Sequence, residues 1–212
     1  MKIEINVKYL YPGIAIIIFV IGLLIYLNIN NNSGITSASA MELKFEELSN
    51  ENTNICGGSG YIYDMDDDAR LQGSCCSPME FHRYKEQVEG LNTLREKYSY
   101  LNNDLRFIPD DPYDIPVSLA KELLEYQKTI QLTPEQQAVY DEAMKMSHEG
   151  GPCCCKCWRW YAFEGQAKKL ITDYGFNSEQ IAELWDIEDG CGGSGHAGHE
   201  GVTERETFEP QI

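Results

Sequence analysis

The chain has 212 residues and a mass of 24.1 kDa, with 17 Lys and Arg against 34 Asp and Glu, a formal net charge of -17 and a pI near 4.5. That length accommodates one domain of ordinary size with an appendage. The acidic balance argues against a nucleic-acid binder, which needs Lys and Arg to neutralise phosphates, and against docking on an anionic membrane through a basic face.

The first forty residues hold only Lys2, Glu4 and Lys8 as charged groups, so the acidity resides in residues 41–212. From Ile14 to Leu27 the chain is apolar apart from Gly22 and Tyr26. With the flanking residues the stretch 9–29 reaches about 31 Å as a helix, enough to span a bilayer. Tyr9, Tyr11 and Tyr26 lie near its ends, where amphipathic rings favour the interface, and Lys2 and Lys8 precede it. The positive-inside bias predicts a cytoplasmic N-terminus (1–8), a transmembrane anchor (9–29) and an extracytoplasmic remainder. A cleaved signal peptide is the rival reading, since Ala38-Ser39-Ala40 has the small-x-small form of a cleavage site. Thirteen residues between the apolar core and the end of that site favour the anchor. Either way the acidic part is exported.

Residues 30–55 begin with a Gly/Ser/Asn-rich run and predict a flexible tether, with a short amphipathic piece at Met41–Leu48. The tether leads into a Cys-rich helical domain over 56–190. Ser77-Pro78-Met79-Glu80 has the form of a capping box, and apolar residues from Phe81 at steps of three and four predict a helix to about Leu101. Asn102 to Pro116, with three Pro and four Asp, reads as a loop. A second helix is expected over Val117–Ile130. A third opens at the capping box Thr133-Pro134-Glu135-Gln136 and runs to about Ser147. The fourth spans about Trp158–Tyr174 and stops at Gly175; the fifth starts at Asn177-Ser178 and ends before Gly190. Residues 191–212 form a Gly/His-rich tail. No strand pattern is visible, so the predicted fold is all-α: a small extracytoplasmic helical bundle on a single N-terminal transmembrane helix, with irregular Gly/Cys-rich segments.

Eight Cys in an exported chain suggest disulfides, yet their spacing is awkward for four bridges. Cys75 and Cys76 are adjacent, Cys153, Cys154 and Cys155 are consecutive, and Cys157 follows two positions on. Four bridges radiating from the five residues 153–157 conflict with the narrow geometry of a disulfide. CGGSG occurs twice, at Cys56–Gly60 and Cys191–Gly195, and Gly beside Cys lets backbone approach a bulky centre. If the fourth and fifth helices form an antiparallel hairpin, the end of the fifth returns to the start of the fourth. That brings Cys191 to the 153–157 run, with His148, His196 and His199 within reach. The helix N-terminus after Cys157 favours thiolates there.

Thiolate and imidazole donors suit Zn²⁺, and thiolates suit Cu(I) or other soft ions. The expected core ligands are Cys153, Cys155, Cys157 and Cys191; Cys56, Cys75, Cys76, Cys154, His148, His196 and His199 are second-rank candidates. The spacing is too compressed for a zinc finger, and Trp158 after Cys157 excludes c-type haem attachment. Asp64, Asp66 and Asp68 begin like a calcium loop, but Ala69 stands where Gly is required. His82 reads as an ordinary surface or half-buried His rather than a ligand. Trp158, Trp160, Tyr161 and Phe163 read as core, with shielding of a metal site as the alternative.

Gly151-Pro152-Cys153-Cys154-Cys155-Lys156-Cys157 resembles the signature of the PCYCGC-motif exported proteins, a bacterial family of unassigned function and often lipid-anchored. Cys153, Cys155 and Cys157 fall on the family's three motif cysteines, whereas Cys154 and Lys156 replace its Tyr and Gly. The resemblance covers mainly residues 112–157 and implies an extracytoplasmic thiol-rich site without implying an activity.

The sequence therefore predicts a membrane-tethered, non-enzymatic carrier, scavenger or sensor of a soft metal ion, copper or zinc. Its partners would be the membrane and a metal transporter or exported redox protein, with no nucleic acid. A thiol–disulfide redox protein using Cys154 and Cys157, and a disulfide-stabilised interaction domain, stay open as alternatives.

Overall fold

The computed structural model describes residues 40–192, apart from the side chains of residues 102–104. The chain divides into two compact units, Met1–Lys44 and Phe45–Ile212. Of the first, only residues 40–44 are described, and they are helical. The apolar segment at 9–29 lies outside the described residues, as do His196 and His199. No helix among the described residues is long and apolar enough to cross a membrane.

The second unit is helical from its first residue. Residues 45–50 form α1, where Phe45 meets the rings of Phe81 and Tyr84 at 5.2 and 5.7 Å and Leu48 is fully buried. Part of the stretch expected as tether is thus anchored in the core. A 3-10 turn, Ser59–Asp64, follows, and then the short strand β1, Arg70–Gln72. Next come α2 (Phe81–Lys97), a 3-10 segment (Ser99–Phe107) and strand β2 (Asp114–Pro116). Helices α3 (Val117–Thr129), α4 (Pro134–Met146), α5 (Trp158–Tyr174) and α6 (Ser178–Glu188) complete the unit.

Local chemistry accounts for the helix ends. Thr133 and Asn177 each close a full capping box with Gln136 and Gln180, as the sequence predicts. Gly175, at φ 66°, ends α5. The expected box at Ser77 does not form, and α2 starts at Phe81 instead. The reason is tertiary: the Ser77 amide and hydroxyl both donate to the Cys191 carbonyl, at 2.9 and 3.0 Å. The loop expected over 102–116 is also partly ordered, since the 3-10 segment runs to Phe107.

The sequence shows no strand pattern, yet β1 and β2 pair antiparallel with Leu71 opposite Ile115, both fully buried. Arg70 pairs with Asp114 beside them. The fold is therefore mostly helical with one two-stranded ribbon, rather than purely α.

Helix α5 is the central element. Trp158, Ala162, Phe163, Ala167 and Leu170 all face the main core. It lies closest to α3, at a contact that Gly165 makes possible: a Cβ there would sit 1.9 Å from the Leu123 carbonyl oxygen. Helix α6 departs from the expected hairpin, because its main neighbours are α4 and α2 rather than α5. Its C-terminal end nevertheless meets the first half of α5. Gln166 donates to Glu188 at 2.7 Å, and Gly190 lies against the Arg159 guanidinium.

Candidate metal centre

Four separate segments deliver sulfur to one end of this unit. The 153–157 run leads into α5, where Cys157 is the N-cap residue. The Cys56 loop is pinned to the same point by a 2.8 Å bond from the Trp158 amide to the Gly57 carbonyl. The 75–76 segment is laced to the 190–191 segment by two backbone bonds, from the Cys75 amide to the Gly190 carbonyl and from the Ser77 amide to the Cys191 carbonyl.

All eight cysteines are free. Their sulfurs form a chain of near contacts: Cys56 to Cys155 at 3.0 Å, Cys155 to Cys76 at 3.9 Å and Cys76 to Cys154 at 3.8 Å. The chain continues from Cys154 to Cys191 at 3.0 Å and from Cys191 to Cys153 at 3.1 Å, and Cys75 lies 3.7 Å from Cys191 and 3.6 Å from Cys76. Four sets of three sulfurs each lie mutually within 4.8 Å: 56, 76 and 155; 75, 76 and 191; 75, 153 and 157; and 153, 154 and 191. Metal–thiolate bonds of about 2.3 Å place two sulfurs on one ion about 3.8–4.0 Å apart, so these sets have the size of coordination sites. Cys153, Cys157 and Cys191 are buried, while Cys56 and Cys76 are exposed, so the cluster runs from the interior to the surface.

Protonation in the metal-free cluster is uneven. Hydrogen bonding with Cys153, then with Cys157 and Cys191, pulls the Cys75 thiol below its usual range. Cys153 is pushed up, first by its hydrogen bond to Cys157 and then by those to Cys191 and Cys75. In Cys191 and Cys157 the bond with Cys153 acts downward, but the bond to Cys75 together with burial prevails and both thiols are raised. Burial, followed by neighbouring sulfur, raises Cys76 and Cys155. A metal that binds these sulfurs as thiolates displaces their protons.

Beside the buried sulfurs lies a buried cation. Arg159 is fully enclosed; its Nη1 donates to the Pro112 carbonyl at 2.6 Å, while Nε and Nη2 have no hydrogen-bond partner. Burial opposes its charge, but the sulfurs of Cys75, Cys153, Cys191 and Cys157 outweigh burial and hold it charged. The nearby carboxyl of Glu188 does not take that charge. Burial pushes it up to about 8, against the smaller effects of Gln166 and Arg159, so it is largely neutral at pH 7.

All eight cysteines meet in the cluster. His148 does not: its Nδ1 lies 3.2 Å from the Asp186 carboxylate, and it joins none of the sets. His196 and His199 lie outside the described residues. His82 is exposed and pairs with Glu86 at 3.1 Å. No described Asp or Glu joins a set, so the 64–68 acidic run forms no such site. Cys154 and Cys157 share no set, which separates the two members of the Cys-x-x-Cys spacing. The aromatic run divides as well: Trp158 and Phe163 belong to the main core, whereas Trp160 packs on the cysteines.

Two supporting residues were missed from sequence. Asn54 bridges the Trp158 indole and the Gly73 carbonyl, and nothing in its neighbourhood marks it. Arg159 carried a usable signal, a lone charge among Trp158, Trp160 and Tyr161 at the start of a helix.

No family model matches the chain, and no curated protein or solved structure is significantly similar to it.

Proposed function

We propose that this chain is a membrane-tethered, extracytoplasmic protein that binds a soft metal ion through cysteine thiolates and acts as a carrier, scavenger or sensor. One observation carries the reading: eight free thiols from four segments converge with their sulfurs at contact distance. Thiols so crowded are the donor set of Cu(I) or Zn²⁺. The buried Arg159 supports it further, since an enclosed cation beside sulfur offsets the negative charge that thiolates bring. The apolar stretch at 9–29 and the acidity of the remainder support export and tethering, and the likeness of residues 151–157 to the PCYCGC motif agrees with that placement. A metal transporter or an exported redox protein is the partner that such a carrier would need.

The test is metal analysis of the full chain, purified anaerobically in detergent and offered Cu(I) and Zn²⁺ in turn. Tight binding of either ion that is lost in Cys153→Ser/Cys157→Ser supports the proposal. Failure of both ions to bind, or recovery of the eight cysteines as four disulfides, contradicts it.

A further inference from the structure

We propose that the site is polynuclear, holding four Cu(I) ions, each on three cysteine sulfurs, with Cys75, Cys76, Cys153 and Cys191 as bridging ligands. The inference rests on the soft-metal reading above and goes beyond it in nuclearity, coordination and choice of ion.

Each of the four sulfur triplets is a three-coordinate site, and they are not independent. Cys75, Cys76, Cys153 and Cys191 each belong to two triplets, while Cys56, Cys154, Cys155 and Cys157 each belong to one. Every thiol is used, and each triplet shares at least one member with another. This is the pattern of a thiolate-bridged cluster, with four bridging and four terminal ligands.

The triplets also discriminate between metals. Structural Zn²⁺ takes four ligands in a tetrahedron. Among the described residues no four sulfurs lie mutually within 4.8 Å, so no ready-made tetrahedral set exists. Cu(I) is univalent, favours thiolate sulfur and is content with three such donors. An iron–sulfur cluster is a poor fit as well. It takes four cysteines, whereas here all eight lie in one connected set of triplets, with neighbouring sulfurs at 3.0–3.9 Å.

Charge agrees with thiolate binding without counting the ions. Eight thiolates around four univalent ions leave a strongly anionic cluster, and the buried face of the cluster meets Arg159, whose Nε and Nη2 have no other partner. A neutral cluster would leave that enclosed cation without compensation. Copper enters and stays as Cu(I), and the thiol protons leave to solvent; no electron changes hands.

The experiment is an anaerobic Cu(I) titration of the full chain in detergent, with metal counting and X-ray absorption at the end point. The expected result is about four Cu(I) per chain, three sulfur neighbours per copper and a short copper–copper vector. One Cu(I) per chain without that vector, or tetrahedral sulfur coordination, overturns the polynuclear inference while leaving soft-metal binding intact; no bound copper here, together with no bound zinc in a parallel Zn²⁺ titration, overturns both. Cys76→Ser and Cys56→Ser, both at exposed positions, separate bridging from terminal ligands. The first should lose two or more ions and the second no more than one, and equal losses contradict the assigned bridging.

Discussion

The Trp158 indole Nε1 donates to the Asn54 side-chain oxygen at 3.0 Å in the buried interior, and the Asn54 amide donates onward to the Gly73 carbonyl at 2.7 Å. This relay joins three of the segments that carry cysteine: the Cys56 loop, the turn before Cys75 and the start of α5. Removing the Asn54 side chain leaves both an indole N–H and a carbonyl unpaired in the interior. Asn54→Ala should lower stability by roughly 2–6 kcal/mol, since each of the two orphaned buried groups costs about 1–3 kcal/mol. Denaturant unfolding of the metal-free chain checks this, and an unchanged midpoint would contradict it.

A close contact governs the other side of the cluster. A Cβ on Gly190 would lie 2.4–2.6 Å from three atoms of the Arg159 guanidinium, which is fully buried beside Trp158 and Phe163. Gly190→Ala should destabilise the protein by about 1–3 kcal/mol through overpacking. It should also weaken metal binding, because Cys191 is the next residue. A melting temperature equal to that of the wild type would count against the contact.

Arg159 itself should matter more to the loaded protein than to the empty one. Arg159→Met keeps bulk and removes the charge, and a buried ionic group is often replaced by an apolar one at little cost. Cu(I) affinity, measured by competition with a chelator, should fall tenfold or more, about 1.4 kcal/mol. Equal affinity in the variant would show that the cation does not serve the cluster.

Glu188 gives the molecule a pH signature. Its folded pKa of about 8 lies above the ordinary value of 4.5, so the folded state holds a proton that the unfolded state releases between these values. The contribution is fully present below pH 4.5 and declines as pH rises through about 8. Glu188→Gln keeps the shape and cannot titrate, and thiol titrations are common to both chains. The stability of wild type relative to Glu188→Gln should therefore fall by a few kcal/mol, on the order of 4 at most, between pH 4.5 and 8. A flat difference would contradict the buried acid.

His148→Ala should leave metal stoichiometry unchanged, because that imidazole is held by Asp186 and lies in none of the sulfur sets. Metal counting on the variant checks this, and a lost ion would restore His148 as a ligand.

What could be read from sequence was local. The capping boxes at Thr133 and Asn177 and the Gly175 stop are set by a few neighbouring residues, and α3 to α6 follow them closely. The failures share one cause. Ser77 looks like a helix cap, but a carbonyl 114 residues away takes its hydroxyl. The ribbon of Arg70–Gln72 and Asp114–Pro116 has three residues per strand, too few for an alternation to show. In the site, the return of Cys191 to residues 153–157 followed from helix lengths and a short turn, although α6 reaches that point beside α4 and α2. The arrival of Cys56, Cys75 and Cys76 depends on backbone bonds between loops, for which no sequence pattern exists.

The most direct test of the account compares Cu(I) uptake by the full chain with that of Cys191→Ser, following the thiolate-to-copper charge-transfer absorption under anaerobic conditions. If sulfur from distant segments acts together, this one substitution should reduce uptake and weaken the copper that stays, although the whole 153–157 run is intact. Identical titration curves would mean that 153–157 binds alone, and the convergence would then have no role in metal binding.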